Sequence, residues 1–189
     1  MVEWKKRGND DMDKIMTILT DSKISKDDEH IRIGFYANIG YFIHISQMLE
    51  YNLRKLICYF KSVEEIESDE ITKERVDEIH KKYDEYYLRT YKDKYTLGKL
   101  KDEVNKHNVL KPEVIAIFKE INDYRTKVVH MIFQNNITCN ELEQSDKVLD
   151  YIMQRLVPMS NKVTDTNSLV LKCIETYQED FRKYKNYKA

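Results

Sequence analysis

A chain of 189 residues, 41% hydrophobic and 34% charged, is long enough for one domain with a continuous core, short for two, and too apolar to be disordered. Its formal net charge of −1 excludes a domain-wide basic footprint, so any nucleic acid would have to meet a local patch. Four Gly and two Pro are too few turn residues for a sheet protein and point to long helices with few connections.

The 14 Tyr accompany a Lys-, Ile- and Asn-rich composition and read first as residues of the core margin. Cys58, Cys139 and Cys173 lack C-x-x-C spacing; they suggest buried thiols in a reducing cytosol, with neither a zinc site nor an even disulfide set. Met1-Val2-Glu3-Trp4-Lys5-Lys6-Arg7 contains no apolar core of signal-peptide length, and no run reaches the ~20 apolar residues of a membrane span. The expectation is a cytoplasmic protein with no membrane partner.

Residues 9–21 place Met12, Ile15, Met16 and Leu19 on one side of a short helix. Ser25 with Asp28 three residues on resembles an N-cap box, and the segment from there to about Phe60 is the most apolar in the chain. Its first half is apolar nearly all round, which predicts a central helix buried on several sides. Gly34 and Gly40 within it would let another helix approach closely, and His44, flanked by apolar residues, reads as a satisfied core histidine. Ser68-Asp69-Glu70 opens a second helix with the stripe Val76, Ile79, Tyr83 and Tyr86, ending in the solvated run Lys92-Asp93-Lys94.

Thr96-Leu97-Gly98-Lys99-Leu100 begins a short helix, and Pro112 suits the first position of the next, over 112–134. Asn140 and Glu143 have capping-box spacing. Leu149, Ile152, Leu156, Met159 and Val163 continue a helical stripe that Pro158 should kink. Thr164-Asp165-Thr166-Asn167-Ser168 reads as a break, after which Val170, Ile174, Tyr177, Phe181 and Tyr184 mark a last helix and tail over 165–189. The pattern predicts a single all-α domain over 1–189, an up-and-down helical bundle of about five to seven helices with an N-terminal extension over 1–25.

The chemistry concentrates in Arg125-Thr126-Lys127-Val128-Val129-His130. A guanidinium is a permanent cation suited to phosphate, and an imidazole moves a proton near neutral pH. With about 100° per residue, Val114, Ile117, Phe118, Ile121, Val128 and Ile132 form a core stripe, and Arg125 falls inside it. A guanidinium in an apolar seam needs a partner, for instance Glu50 on the central helix. His130 falls on the opposite, polar face with Lys119, Asp123, Thr126 and Gln134, about 140° from Arg125 around the helix. One isolated helix therefore cannot aim both at one phosphate; a cleft between two copies of the helix could. Asp77-x-x-His80 and Glu103-x3-His107 have helix-face ligand spacings, but the paired Glu-x-x-His sets of di-metal bundles are missing, and they read as surface charge.

The hexapeptide resembles the R-x4-6-H motif of HEPN domains, all-helical bundles of toxin–antitoxin, phage-defence and RNA-processing proteins. Ser46-Gln47-Met48-Leu49-Glu50 looks like that family's early "xxLE" helix, and Thr96-Leu97-Gly98-Lys99-Leu100 is similar to its "TLG-x-L" helix start. The resemblance spans roughly residues 30–157. It implies a homodimer that cleaves RNA without metal or other cofactor, with Arg125 holding the phosphate and His130 as general acid/base. Thr126, Asp123, Lys127 and Gln134 would support the site or bind substrate. It further implies a 2′,3′-cyclic phosphate product and a cognate antitoxin or defence partner. Thr126 stands where members most often have Asn, and Ile132 where antitoxin-modified members carry Tyr. The alternative is a non-catalytic HEPN-like module that binds RNA, a nucleotide or a protein.

Overall fold

The computed structural model describes residues 26–68, 72–93, 95–131 and 144–186, and every regular element among them is helical. The elements are α1 (Lys26–Glu67), α2 (Lys73–Lys92), α3 (Leu97–Lys106), α4 (Pro112–Met131), α5 (Ser145–Tyr151), a π-helical turn (Ile152–Leu156) and α6 (Val157–Lys185). The last three follow one another without interruption, so the described residues form five rods. Residue pairs give their directions. Glu65 meets Lys82 while Tyr51 meets Tyr87, so α2 descends along α1. Glu50 meets Leu97 and Lys61 meets Glu103, so α3 rises again. The final rod antiparallels α4, since Tyr124 meets Tyr151 and Glu120 meets Lys162. It runs parallel to α1, because Phe35 packs on Tyr151, Asn52 on Asn167 and Tyr184 on Glu67. The bundle is therefore up-and-down, and its first and last rods lie side by side.

The core is one seam through these rods. Phe35, Phe42, Leu49, Leu53 and Leu56 of α1 meet Leu97 and Leu100 of α3, Phe118 and Ile121 of α4, and Leu156, Val163 and Val170 of the last rod, all with no exposed surface. Each such side chain stabilises the fold by roughly 1.5–3 kcal/mol. Val114, Ile117 and Val128 join the predicted stripe of α4, and Pro112 takes its first position. The predicted stripe of α2 is also found: Val76 and Ile79 are buried, and Tyr83 and Tyr86 half-buried.

Several expectations require correction. α1 extends beyond Phe60 to Glu67, because Val63 and Ile66 form a second core cluster with Val76, Ile79 and Phe181. Its first half is not enclosed on several sides. Tyr36, Tyr41 and Met48 are exposed, and so is His44, which is no core histidine. A Cβ added at Gly34 or Gly40 would meet nothing within 4 Å, so neither glycine serves helix packing. α2 begins after Thr72, whose hydroxyl accepts from the Arg75 N–H at 3.2 Å; Ser68 instead donates to the Glu65 carbonyl at the end of α1.

The break at 164–168 does not occur, so the last helix starts well before residue 165. Thr164, Thr166 and Ser168 donate their hydroxyls to carbonyls four residues back, and Asn167 accepts from Asn52 on α1 at 2.8 Å. These polar side chains are engaged within and between helices, so they do not compete for the backbone. Pro158 is accommodated by the π-helical turn just before it, where the Val157 N–H reaches the Ile152 carbonyl. The wider turn shifts the phase of the stripe. Val148 is fully buried, whereas Leu149, predicted on the core face, is 47% exposed. The readings of residues 9–21, Ser25, Asn140–Glu143 and Cys139 fall outside the described residues. No helix among the described residues is long and apolar enough to cross a membrane.

Gly40 is exposed in mid-helix, so Gly40→Ala should stabilise the protein by about 0.5–1 kcal/mol in thermal or urea unfolding; a loss of stability would show an unrecognised contact there. Glu65 accepts from Lys82 at 2.6 Å and Tyr83 at 2.8 Å and pairs with Arg75 at 3.1 Å, and the Lys82 hydrogen bond chiefly holds its carboxyl below the usual value of 4.5. A folded-state pKa below the unfolded one contributes stability above the unfolded value and loses it as pH falls through the folded one. Glu65→Gln should therefore cost roughly 0.5–1 kcal/mol at pH 7, with the difference from the unmodified protein vanishing in acid.

Candidate functional site

The three segments that carried the family resemblance meet at one carboxylate. Glu50 lies on the α1 seam one residue after buried Leu49, and its Oε1 accepts from Arg125 Nη1 on α4. The same oxygen accepts the Leu97 N–H at 2.8 Å, at the start of α3. Thr96 is the N-cap of α3 but makes no side-chain capping bond, so Glu50 takes that role from a different helix. The internal partner expected for Arg125 is thus present, and it is Glu50. The side chains of Glu50 and Arg125 retain 12% and 24% exposure, enough for the pair to reach a cleft.

That cleft, of about 500 Å³, is lined by Glu50, Arg54, Tyr91, Lys92, Tyr95, Thr96 and Arg125. Arg54 donates from Nη2 to the Tyr95 carbonyl, which fixes the guanidinium beside the α2–α3 connection. Sequence reading missed Arg54, although a signal existed: Glu50 and Arg54 are four apart and share one helix face inside an apolar run.

The remaining predicted residues lie elsewhere. Thr126 is exposed and its hydroxyl donates to the Asn122 carbonyl at 2.9 Å, so it is turned to its own helix. Asp123 and Lys127 line a second cleft of about 420 Å³ between α4 and the last rod, with Glu120, Tyr124, Arg155 and Lys162. Lys162 pairs with Glu120 there at 2.6 Å. His130 is exposed at the penultimate position of α4. Gln134 falls outside the described residues. Arg125 and Asp123 thus face different clefts, as their helical angles predicted, and Lys127 lies in the same cleft as Asp123.

A third cavity, of about 210 Å³, is lined by Tyr51, Lys55, Cys58, Tyr59, His80, Tyr83, Asp84 and Tyr87, with Ser62 and Phe181. His80 Nδ1 lies 3.1 Å from Asp84 Oδ2, so a thiol, an imidazole and a carboxylate share this space. Burial, assisted by the Asp84 charge, pushes the Cys58 thiol up to about 12, which opposes thiolate chemistry. The metal-like spacings are also otherwise engaged. Glu103 pairs with Lys61, and His107 packs on Phe60 with ring centres 5.6 Å apart. Among the described residues, no three His, Cys, Asp or Glu side chains converge as metal ligands.

Glu50→Ala would leave the Leu97 N–H without its acceptor and Arg125 without its counter-charge. It should lower stability by about 2–3 kcal/mol in urea unfolding, with Glu50→Gln recovering part of this because it keeps an acceptor. A Glu50→Ala protein as stable as the parent would remove this carboxylate from the centre of the fold.

No family model, no curated protein and no solved structure matches this chain.

Proposed function

We propose that the chain is a HEPN-like, metal-independent endoribonuclease of the toxin or phage-defence type, acting in the cytoplasm as a homodimer. The observation that carries this reading is the convergence of Leu49-Glu50, Thr96-Leu97-Gly98 and Arg125 on one carboxylate oxygen. Each of these three segments resembles a family motif, and their meeting at one oxygen supports the reading.

In this reading Arg125, set by Glu50 at the edge of its cleft, holds the scissile phosphate and stabilises charge developing on its oxygens. His130, exposed and free to enter an interface, comes from the facing protomer. Its imidazole accepts the proton of the ribose 2′-hydroxyl as that oxygen attacks phosphorus. A proton is then delivered to the departing 5′ oxygen, leaving a 2′,3′-cyclic phosphate. DNA lacks the attacking hydroxyl and is inert. Asp123 and Lys127, on the same helix face as His130, contact the RNA strand, with Thr126 and Gln134 beside them. A cognate antitoxin or defence partner restrains the activity.

A second reading, a non-catalytic HEPN-like module that binds RNA, a nucleotide or a protein, is favoured by one observation: Glu50 already neutralises Arg125 within the protomer. Cleavage of structured and single-stranded RNA in EDTA separates the two. The enzyme reading expects cyclic-phosphate ends, reduced about 100-fold or more in His130→Ala. His130 is exposed, so this variant should keep its fold. Absence of cleavage, or equal cleavage by the variant, sinks the enzyme. Light scattering should give the mass of a dimer; a strict monomer would remove the composite site.

A further inference from the structure

Away from Arg125, the interface between α1 and α2 keeps a space that ordinary helix packing would close. The cavity of about 210 Å³ there is walled by Tyr51 and Tyr59 of α1, Tyr83 and Tyr87 of α2, and Phe181 of the last rod. Paired helices set the ridges of one into the grooves of the other and leave few voids larger than a water molecule. Rings close such a space only if they are free to turn into it, and here they are held. Gln178 donates to the Tyr59 hydroxyl at 2.9 Å, and Phe181 packs edge-on to the same ring with centres 6.3 Å apart. Tyr83 donates to Glu65 at 2.8 Å, and Lys82 and Arg75 fix that carboxylate in turn. Tyr51 and Tyr87 brace each other edge to face, 6.2 Å apart. The walls are thus set by their own neighbours before anything enters.

The polar groups of the cavity leave an acceptor missing. Lys55 Nζ lies 4.6 Å from the centre of the Tyr51 ring, and among the described residues it has no carboxylate within ion-pair distance. Tyr51 beside it holds its pKa above the usual lysine value, so the ammonium stays charged at neutral pH. The Tyr87 hydroxyl makes no hydrogen bond among the described residues and is close enough to Lys55 to feel its charge. Asp84 is the one carboxylate in the lining, and it pairs with His80 at 3.1 Å. The Cys58 thiol, pushed up to about 12 by burial, stays neutral and offers a soft, polarizable contact for a ring.

We infer that this cavity binds a small aromatic carboxylate, with its single ring among Tyr59, Tyr83, Phe181 and Cys58 and its acid group on Lys55 and the Tyr87 hydroxyl. An engineered apolar cavity of roughly 150 Å³ admits benzene. About 210 Å³ therefore holds one ring with one small substituent, and it falls below the range of sites for larger ligands. A cage of tyrosines can also take an organic cation. Here the protein's own cations already occupy two of the rings, Lys55 at Tyr51 and Lys82 at Tyr83, 5.2 Å from its centre. An anion is the charge that matches them. The cavity shares no residue with the cleft beside Arg125, and the inference does not rest on the ribonuclease reading.

Calorimetry and ligand-observed NMR on the full chain would test it, with benzoate, benzyl alcohol and benzyltrimethylammonium as probes. Benzoate should bind saturably and about tenfold more tightly than the neutral alcohol, and the cation should not bind. Lys55→Gln should abolish that preference, and Tyr87→Phe should reduce it. Both side chains are partly exposed, so these variants should keep their fold, which circular dichroism would check. Cys58→Leu, which fills the space, should block benzoate. No binding of benzoate, equal binding by folded Lys55→Gln or Cys58→Leu proteins, or tighter binding of the cation overturns the inference. Benzoate binding and RNA cleavage are read separately, so failure of either leaves the other standing.

Discussion

The fold depends on a carboxylate placed where an all-apolar seam would otherwise close. Glu50 sits on α1 between Leu49 and Leu53, and both of those leucines are fully buried. Placing a charge there is unfavourable unless it is paired and hydrogen-bonded. The bundle meets that condition with a backbone amide from α3 and a guanidinium from α4. Hydrophobic contact is non-directional and tolerates sliding, whereas these two bonds hold only in one register. Glu50 thus orders α1, α3 and α4 relative to one another, and the cleft beside it inherits that order.

The last rod solves a different problem. A proline in mid-helix removes an N–H and crowds the carbonyl four residues back. Here the chain widens into a π-helical turn over Ile152–Leu156 and then continues to Lys185. The extra width explains why the buried positions before the turn fall on Val148 and not on Leu149. It also lies against the motif helix: Gln154, Arg155 and Pro158 share a cleft with Asp123 and Lys127. Tyr124 links the two walls, edge-on to Phe42 at 5.3 Å and 3.2 Å from the Tyr151 hydroxyl.

Arg125 and His130 illustrate how a short motif can mislead. Five positions apart, they look adjacent in print, yet a helix turns them about 140° from one another. The structure assigns Arg125 to the inner seam and leaves His130 exposed. Any joint chemistry needs two surfaces, and a symmetric pair of α4 helices is the simplest arrangement with both residues on each side. Arg125 has a structural duty in every case, so loss of function on its removal would not distinguish catalysis from folding; His130 has no such ambiguity.

Much of this was legible in the residues. Scarce Gly and Pro, 3-4 spacing and Pro112 sufficed for the all-α class, the stripes of α2 and α4, and the position of Arg125 in its seam, because these follow from local backbone chemistry and helical period. Glu50 could be named as its partner because a buried guanidinium demands a carboxylate. What local sequence could not decide was context. Thr164 to Ser168 resemble a break until their side chains find partners four residues back and across on α1. Gly34 and Gly40 suggest close packing until nothing packs there, and His44 looks internal until the first half of α1 is seen to be covered on one side only. The cleft lined by Arg54, Lys92, Tyr91 and Arg125 draws on three helices and the connection after α2, whose adjacency no local pattern encodes. Periodicity specifies which face of a helix is apolar; only the packing of five rods decides which residues from different faces share a space.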